Sequence, residues 1–102
     1  MPRRLHGLPI LGYEALTGSG SAQGLTKAKY DKVPPAVGAI VTIDTAPIRW
    51  TADGTTPTSS EGNFAIPTQD PIILIGSQMT QFLFINFGVT NAKLRVNYVG
   101  SG

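Results

Sequence analysis

The segment AKLRVNYVG, residues 92–100, decides the fold class, because its apolar and polar side chains alternate along its length. Its even-numbered positions from Leu94 to Tyr98 are apolar, and its odd-numbered positions from Lys93 to Asn97 are polar. In an extended chain, successive side chains point to opposite faces, so the apolar set shares one face. The segment therefore predicts a strand that covers a core with one face and meets water with the other.

Four segments further up the chain have the same extended character, and turn residues bound each of them. They are GAIVTID (38–44), PIRWTA (47–52), PIILIG (71–76) and QFLFINFG (81–88). Two begin with proline, which a sheet tolerates at the start of a strand. The run PIILIG is apolar throughout, which predicts a strand covered on both faces. Helix is expected only as a turn near residues 25–31, since no 12-residue stretch has a helical apolar stripe.

Several short strands separated by turns predict a single small all-β domain over residues 36–102. We expect an antiparallel β-sandwich of jelly-roll type, with an open barrel as the alternative. Residues 1–35 are expected to form an extended N-terminal arm and linker, because they lack sustained periodicity and include the small-residue stretch TGSGSAQG at 17–24. The apolar residues of this arm need a surface to lie on. The alternative is that residues 8–16 form the first strand of the domain itself.

Composition excludes several classes of function. The 102 residues include no cysteine, which excludes disulfides, zinc–thiolate sites and cysteine nucleophiles. The sequence lacks a run of about 18 apolar residues, which a membrane-spanning helix would need. Charged residues make up 14% of the chain, against about 25% in an average soluble domain, so the surface suits a protein packed against neighbours. Arg3 and Arg4 account for the net charge of +2, because the other basic residues equal the acidic ones in number.

Patterns for catalysis, cofactors and nucleic acid are not found in this sequence. The only histidine, His6, has no serine and aspartate in a recognisable nucleophile motif, and phosphate-binding loops are missing. Arg49 and Trp50 are neighbours in one strand, so they cannot form a single stacking platform for bases. We therefore expect no enzyme activity, no cofactor, no nucleic-acid partner and no membrane. Asp53 and Glu61 could ligate a loop calcium ion, but turn capping is the preferred interpretation, because a dense D-x-D pattern is missing.

The polar segment TADGTTPTSSEG, residues 51–62, is expected to form a hairpin or a long turn. Asp53 and Gly54 are a strong turn pair, and Pro57 holds the residue before it in extended geometry. Gly62 then turns the chain again. These four residues are interpreted as structural, with a threonine- and serine-covered tip between them.

Aromatic residues in the strands leave two questions open. Phe82 and Phe84 lie on a segment with apolar residues on both faces, so burial is the preferred interpretation and a subunit interface the alternative. Trp50 is expected in the core. Solvent exposure of Trp50 or Tyr98 would instead favour a carbohydrate-binding platform beside the 53–62 loop.

Three segments together resemble a family of small virion proteins of tailed bacteriophages. They are ALTGSGSAQGLT (15–26), APIRWTADGTTPTSSEG (46–62) and NAKLRVNYVG (91–100). Members resemble one another in a short arm, an Ala-Leu…Gly-Leu-Thr segment, an Ile-Arg-aromatic strand, an Asp-Gly-Thr-x-Pro-Thr…Gly loop and a final strand ending in x-Val-x-Tyr. The residues that fit the central motif are Ile48, Arg49, Trp50, Asp53, Gly54, Pro57, Thr58 and Gly62. The following segment, NFAIPTQDP, is less typical.

The resemblance implies a non-enzymatic structural protein of the virion. We expect a capsid decoration (cement) protein on the capsid surface, whose partners are the major capsid protein and copies of itself, taken as a trimer. The alternatives are a head–tail connector or tail-associated protein and, from another class, a carbohydrate-binding host-recognition β-sandwich. The residues expected to contact the capsid belong to the arm and are Arg3, Arg4, Leu5, Leu8, Ile10 and Leu11.

Overall fold

The computed structural model describes residues 9–31 and 35–100, which form seven strands and two single-turn helices. The strands are β1 (Ile10–Thr17), β2 (Gly38–Asp44), β3 (Ile48–Thr51), β4 (Asn63–Ala65), β5 (Ile72–Ile75), β6 (Leu83–Asn86) and β7 (Lys93–Val99). The helices are α1 (Lys27–Tyr30) and α2 (Gln78–Gln81). The expected all-β class is thereby confirmed, as is a helical turn between residues 25 and 31.

The strands form two antiparallel sheets. One has the order β1-β7-β2-β5, and the other has the order β4-β3-β6. The last strand, β7, is central in the larger sheet, where β1 pairs with one side of it and β2 with the other. The register of β1 shifts between Ile10 and Gly12. The apolar faces of both sheets meet in one core, so the chain is a small β-sandwich.

The core contains the alternating apolar residues that the strand patterns predict. Its large, fully buried members are Val41, Ile48, Leu74, Phe82, Phe84, Leu94, Val96 and Tyr98. In β7 the even positions are buried, while the intervening lysine, arginine and asparagine are not. Burying one aliphatic side chain of this size contributes about 1.5–3 kcal/mol, so the contact between the sheets is the main source of stability.

The first strand corrects the prediction of an extended arm over residues 1–35. Residues Ile10–Thr17 pair along β7, and Leu16 packs against the core. The apolar residues of this segment have no partner nearby in the sequence. They pair with the last strand, more than 75 residues away. The sandwich begins before residue 36, in agreement with the alternative that residues 8–16 open the domain.

The strand β5 corrects a second prediction. Ile72 and Leu74 are buried in the core, but Ile73 and Ile75 are exposed by 39% and 63%. The strand lies at the edge of its sheet, and its outer face is not covered within the described residues. An apolar run alone does not distinguish a central strand from an edge strand with an apolar outer face.

The segment 18–24, expected to be a linker, runs along the edge of β6. Gln23 and Phe84 exchange two backbone hydrogen bonds of 2.9 and 2.8 Å, and the Asn86 N–H donates to the Ser19 carbonyl at 3.1 Å. Unpaired strand edges are sites of unwanted association. This segment therefore closes one edge of the three-stranded sheet.

Candidate functional site

The polar loop 52–62 joins β3 to β4 and is held by hydrogen bonds at its first half. The Thr55 N–H donates to Asp53 Oδ1 at 3.0 Å, and the Thr51 hydroxyl donates to the Thr55 carbonyl. The Gly54 N–H donates to the Gln81 carbonyl of α2 at 3.3 Å. The first half of the loop is thus fixed both to its own strand and to the neighbouring helix.

The second half of the loop folds back onto β3. Thr58 and Glu61 exchange backbone hydrogen bonds of 2.9 and 3.3 Å, and Gly62 follows with a φ of 124°. A Cβ atom at position 62 would lie 3.2 Å from Pro57 Cβ and 3.3 Å from the Trp50 carbonyl oxygen. Position 62 therefore requires glycine for two reasons, its backbone conformation and its close neighbours.

A cavity of about 550 Å³ lies between this loop, the end of β3 and α2. Its lining includes the half-buried Trp50, two carboxylate residues, Asp53 and Glu61, and two amide residues, Asn63 and Gln78. These side chains come from three separate parts of the chain. The sequence prediction placed a polar tip at 53–62, but it identified neither the cavity nor Asn63 and Gln78.

Each amide side chain at the cavity is oriented by one hydrogen bond to the backbone. Asn63 Nδ2 donates to the Trp50 carbonyl at 3.1 Å, and Gln78 Oε1 accepts the Ile75 N–H at 2.8 Å. An amide group carries both a donor end and an acceptor end. The Asn63 carbonyl oxygen and the Gln78 amino group are therefore held in position. Both remain available to form hydrogen bonds.

The two carboxylate residues make the cavity electronegative. Hydrogen bonds from the backbone N–H and the side chain of Thr55 favour the charged form of Asp53 and hold its pKa below the ordinary value. Asp53 is therefore ionised at neutral pH, and Glu61 lies at the same cavity. Across residues 9–31 and 35–100, no group of three or more His, Cys, Asp or Glu side chains is placed to hold a metal ion.

A second feature, the Arg49 cluster, lies on the outer face of the three-stranded sheet and consists of Arg49, Phe64 and Phe87. Arg49 Cζ lies 5.1 and 5.2 Å from the ring centroids of Phe64 and Phe87, whose rings meet edge to face at 4.9 Å. The same guanidinium donates to the Gly62 carbonyl at 3.2 Å. Arg49 thus fastens the loop from outside, while both rings remain exposed by more than 40%.

Phe82 and Phe84 do not form a subunit interface in this fold. Their rings stack at 6.0 Å inside the core, and each is at most 1% exposed. The alternative prediction of a subunit interface at Phe82 and Phe84 is therefore wrong for the folded chain, because both side chains are buried between the two sheets. Trp50 packs on Phe82 at 5.9 Å but is only half-buried, whereas Tyr98 is fully buried. Of the two aromatics considered for a carbohydrate platform, Trp50 alone reaches the surface.

The structure describes two of the six residues that are expected to contact a capsid, Ile10 and Leu11. Arg3, Arg4, Leu5 and Leu8 lie outside the described residues. Ile10 is 56% exposed at the start of β1, and Leu11 is half-buried beside Gly100.

No protein-family model, curated protein or solved structure matches this chain. In the described part of the chain, no helix is long and apolar enough to cross a membrane.

Proposed function

We propose that the chain is a structural protein of a tailed-bacteriophage virion, namely a capsid decoration protein that binds the major capsid protein and copies of itself. The observation that carries this proposal is the apolar character of its surface. Nine large apolar side chains are exposed in the described part of the chain: Ile10, Tyr13, Val37, Phe64, Ile66, Ile73, Ile75, Phe87 and Val89. Single exposed apolar side chains are common on folded proteins, so the support comes from those that share an edge strand, such as Ile73 and Ile75.

The position of these side chains supports contacts between copies. Ile73 and Ile75 occupy the β5 edge of the larger sheet, and Tyr13 occupies its β1 edge. The two edges are different surfaces, and contacts between unlike surfaces close into rings when the rotation allows it. We propose that a β5 edge faces the β1 edge of the next copy in a trimer.

Strand order supports the jelly-roll part of the proposal. If the Gln23 bridge beside β6 is counted as a reduced second strand, the strands in chain order form sheets 1-8-3-6 and 2-7-4-5. We propose that this order is that of a jelly roll, an architecture found in viral capsid and lectin domains. Both proposed classes, virion structure and carbohydrate binding, are compatible with it, since a fold does not by itself fix a function.

Contact with the capsid is proposed to use the residues that precede and open β1. Arg3 and Arg4 would approach an acidic capsid surface, and the aliphatic side chains Leu5, Leu8 and Ile10 would be buried there. Burying three such side chains contributes a few kcal/mol per copy before ordering costs. Many copies on one shell would multiply the effect through avidity. Leu11 contributes less, because it already contacts Gly100.

Deletion of residues 2–8 tests the role of the arm. The deletion ends before β1, so we expect an unchanged circular dichroism spectrum and melting temperature together with loss of attachment to particles. The double variant Arg3→Ala/Arg4→Ala is expected to weaken attachment, and to do so more at low salt, where charge attraction is least screened. Undiminished attachment of the deletion variant would contradict the proposed contact.

The copy number per particle tests the place in the virion. A shell protein follows capsid symmetry, so we expect on the order of hundreds of copies by quantitative mass spectrometry of purified particles. A count of about a dozen or fewer would move the protein to a connector or the tail, where rings of such size are built. Its absence from purified particles would overturn the virion proposal.

A further inference from the structure

We propose that the cavity beside Trp50 is a binding site for a neutral saccharide. This inference goes beyond the proposed place in the virion and does not depend on it. The cavity volume of about 550 Å³ lies within the usual range of roughly 300–1,000 Å³ for small-ligand sites. Its combination of one large aromatic residue with several oriented polar groups suggests the ligand class.

Trp50 supplies the aromatic part of the site. A sugar ring presents C–H groups on its face and hydroxyl groups around its rim, so its face packs well against a flat indole. Trp50 is held by Phe82 on the core side and by strand pairing with Asn63 and Phe84 on either side. Such a residue is in place before a ligand arrives, which reduces the entropy lost on binding.

The polar groups match the rim of a sugar. Asn63 and Glu61 offer acceptor oxygens, Gln78 offers an amino donor, and the Thr56 hydroxyl can do both. Every sugar hydroxyl also donates and accepts. A purely apolar ligand would leave these groups unpaired on desolvation, which is unfavourable. A ligand with several hydroxyl groups is therefore preferred.

Charge at the cavity selects against acidic sugars. Asp53 and Glu61 both line it, and the guanidinium of Arg49 is occupied on the outer sheet face with loop carbonyls and two aromatic rings. A sialic acid, a uronic acid or a phosphate would meet two carboxylates, and no basic side chain lines the cavity among the described residues. Neutral hexoses and N-acetylhexosamines carry no such penalty.

Titration of the full chain with trisaccharides tests the site. The probes are neutral trisaccharides of glucose, mannose, galactose and N-acetylglucosamine, with sialyllactose as the acidic comparison. Trp50 is the only tryptophan of the chain, so the change in emission reports on this cavity alone. We expect saturable binding of at least one neutral probe by emission and by calorimetry, and weaker binding of sialyllactose, whose carboxylate would meet Asp53 and Glu61.

A matched pair of variants separates the site from the surface. Gln78→Glu keeps an acceptor for the Ile75 N–H but removes the amino donor at the cavity. Gln69→Glu makes the same change where Gln69 accepts the Ile66 N–H at 3.0 Å, and Gln69 does not line the cavity. We expect Gln78→Glu to weaken binding about fivefold or more, the equivalent of one ordinary hydrogen bond, and Gln69→Glu to leave it unchanged.

Three results would overturn the proposal. They are the lack of saturable binding by every neutral probe at millimolar concentration, equal affinity of the two glutamine variants, and a preference for sialyllactose. None of them bears on the virion proposal, which is measured on particles. Loss of the site and loss of the virion role are thus distinguishable.

Discussion

Gly62 illustrates, at the scale of the single residue, why the loop beside the cavity needs its sequence. We expect Gly62→Ala to destabilise the fold by about 1–3 kcal/mol, because the added methyl meets both Pro57 and the Trp50 carbonyl at an unfavourable φ. Thermal unfolding measures this change.

Two other glycines serve as graded controls for this prediction. Gly54 has a φ of 88° with no atom within 4 Å of an added Cβ, so Gly54→Ala isolates the backbone strain. Gly88 has neither constraint, and Gly88→Ala should stay within about 0.5 kcal/mol of wild type. Equal melting temperatures for all three variants would contradict the reading of the loop as sterically fixed.

Tyr98 gives a prediction about alkaline pH. Burial and the hydrogen bond that its hydroxyl donates to Glu14 raise the pKa of Tyr98 well above its ordinary value of 10.0. The folded state therefore holds the Tyr98 proton more tightly than the unfolded state does. This contribution to stability is complete below pH 10 and is lost progressively as the pH rises above it.

The variant Tyr98→Phe should remove that part of the alkaline loss while costing about 0.5–1.5 kcal/mol at neutral pH for the missing hydrogen bond. The measurement is the free energy of unfolding at pH 7, 9 and 11. Tyr13→Phe is the control for loss of an exposed tyrosine hydroxyl, which accepts a hydrogen bond from Arg95 at 3.1 Å. If wild type and Tyr98→Phe lost stability in parallel above pH 10, the assignment would fail.

At the scale of secondary-structure elements, Asn86 holds the turn between β6 and β7. Its Oδ1 accepts the buried Ala92 N–H at 3.0 Å, and its Nδ2 donates to Asn91 Oδ1 at 2.8 Å. We expect Asn86→Ala to cost about 1–3 kcal/mol, because it leaves a buried N–H without an acceptor.

Asn91→Ala removes only the exposed partner of the same network and should cost less than Asn86→Ala. Asn86→Asp retains an acceptor for the Ala92 N–H, but it buries a charge and loses the donor to Asn91, so it should cost at least as much as Asn86→Ala. Denaturant unfolding of the three variants tests this order. A loss as large for Asn91→Ala as for Asn86→Ala would mean that the bond to Ala92 is not the important one.

The elements that the sequence predicts are those whose signal is local. Alternation along β2 and β7 defines their buried faces without reference to any partner. In contrast, β4 has three residues and α2 has four, which is too short for a periodic pattern. The position of β1 beside β7 depends on a partner far away in the chain, so it could be offered only as an alternative.

The same limit applies to the candidate site. Turn chemistry at Asp53, Gly54, Pro57 and Gly62 indicates a well-defined loop, and the structure contains all four within it. The cavity also needs Gln78, which α2 brings to the loop, and an exposed edge of Trp50. Neither the packing of α2 nor the partial exposure of one aromatic residue leaves a periodic signal in the sequence.

At the scale of the whole molecule, the exposed isoleucines of β5 predict how self-association can be disrupted. We expect the double variant Ile73→Lys/Ile75→Lys to shift the chain towards a single 10.8 kDa species, because two charges would be desolvated in the proposed contact. Light scattering after size-exclusion chromatography measures this mass. The fold should persist, since both side chains are exposed on an edge strand.

Ser60→Lys is the control for added charge, because Ser60 is exposed in the loop away from β5. It should leave the mass of the assembly as in wild type, at about three times the mass of one chain if the ring is a trimer. An unchanged mass for the β5 variant would place the contact elsewhere on the surface.

The pairing of the first strand with the last brings the two ends of the sandwich to one corner. The Gly100 N–H donates to the Pro9 carbonyl at 2.9 Å, so position 9 and position 100 are in direct contact. A short glycine linker could therefore join these positions, and new termini could be opened in the exposed 88–91 turn without breaking a strand. Peptides attached at positions 9 and 100 would leave the sandwich side by side, which makes this corner a single attachment point for cargo.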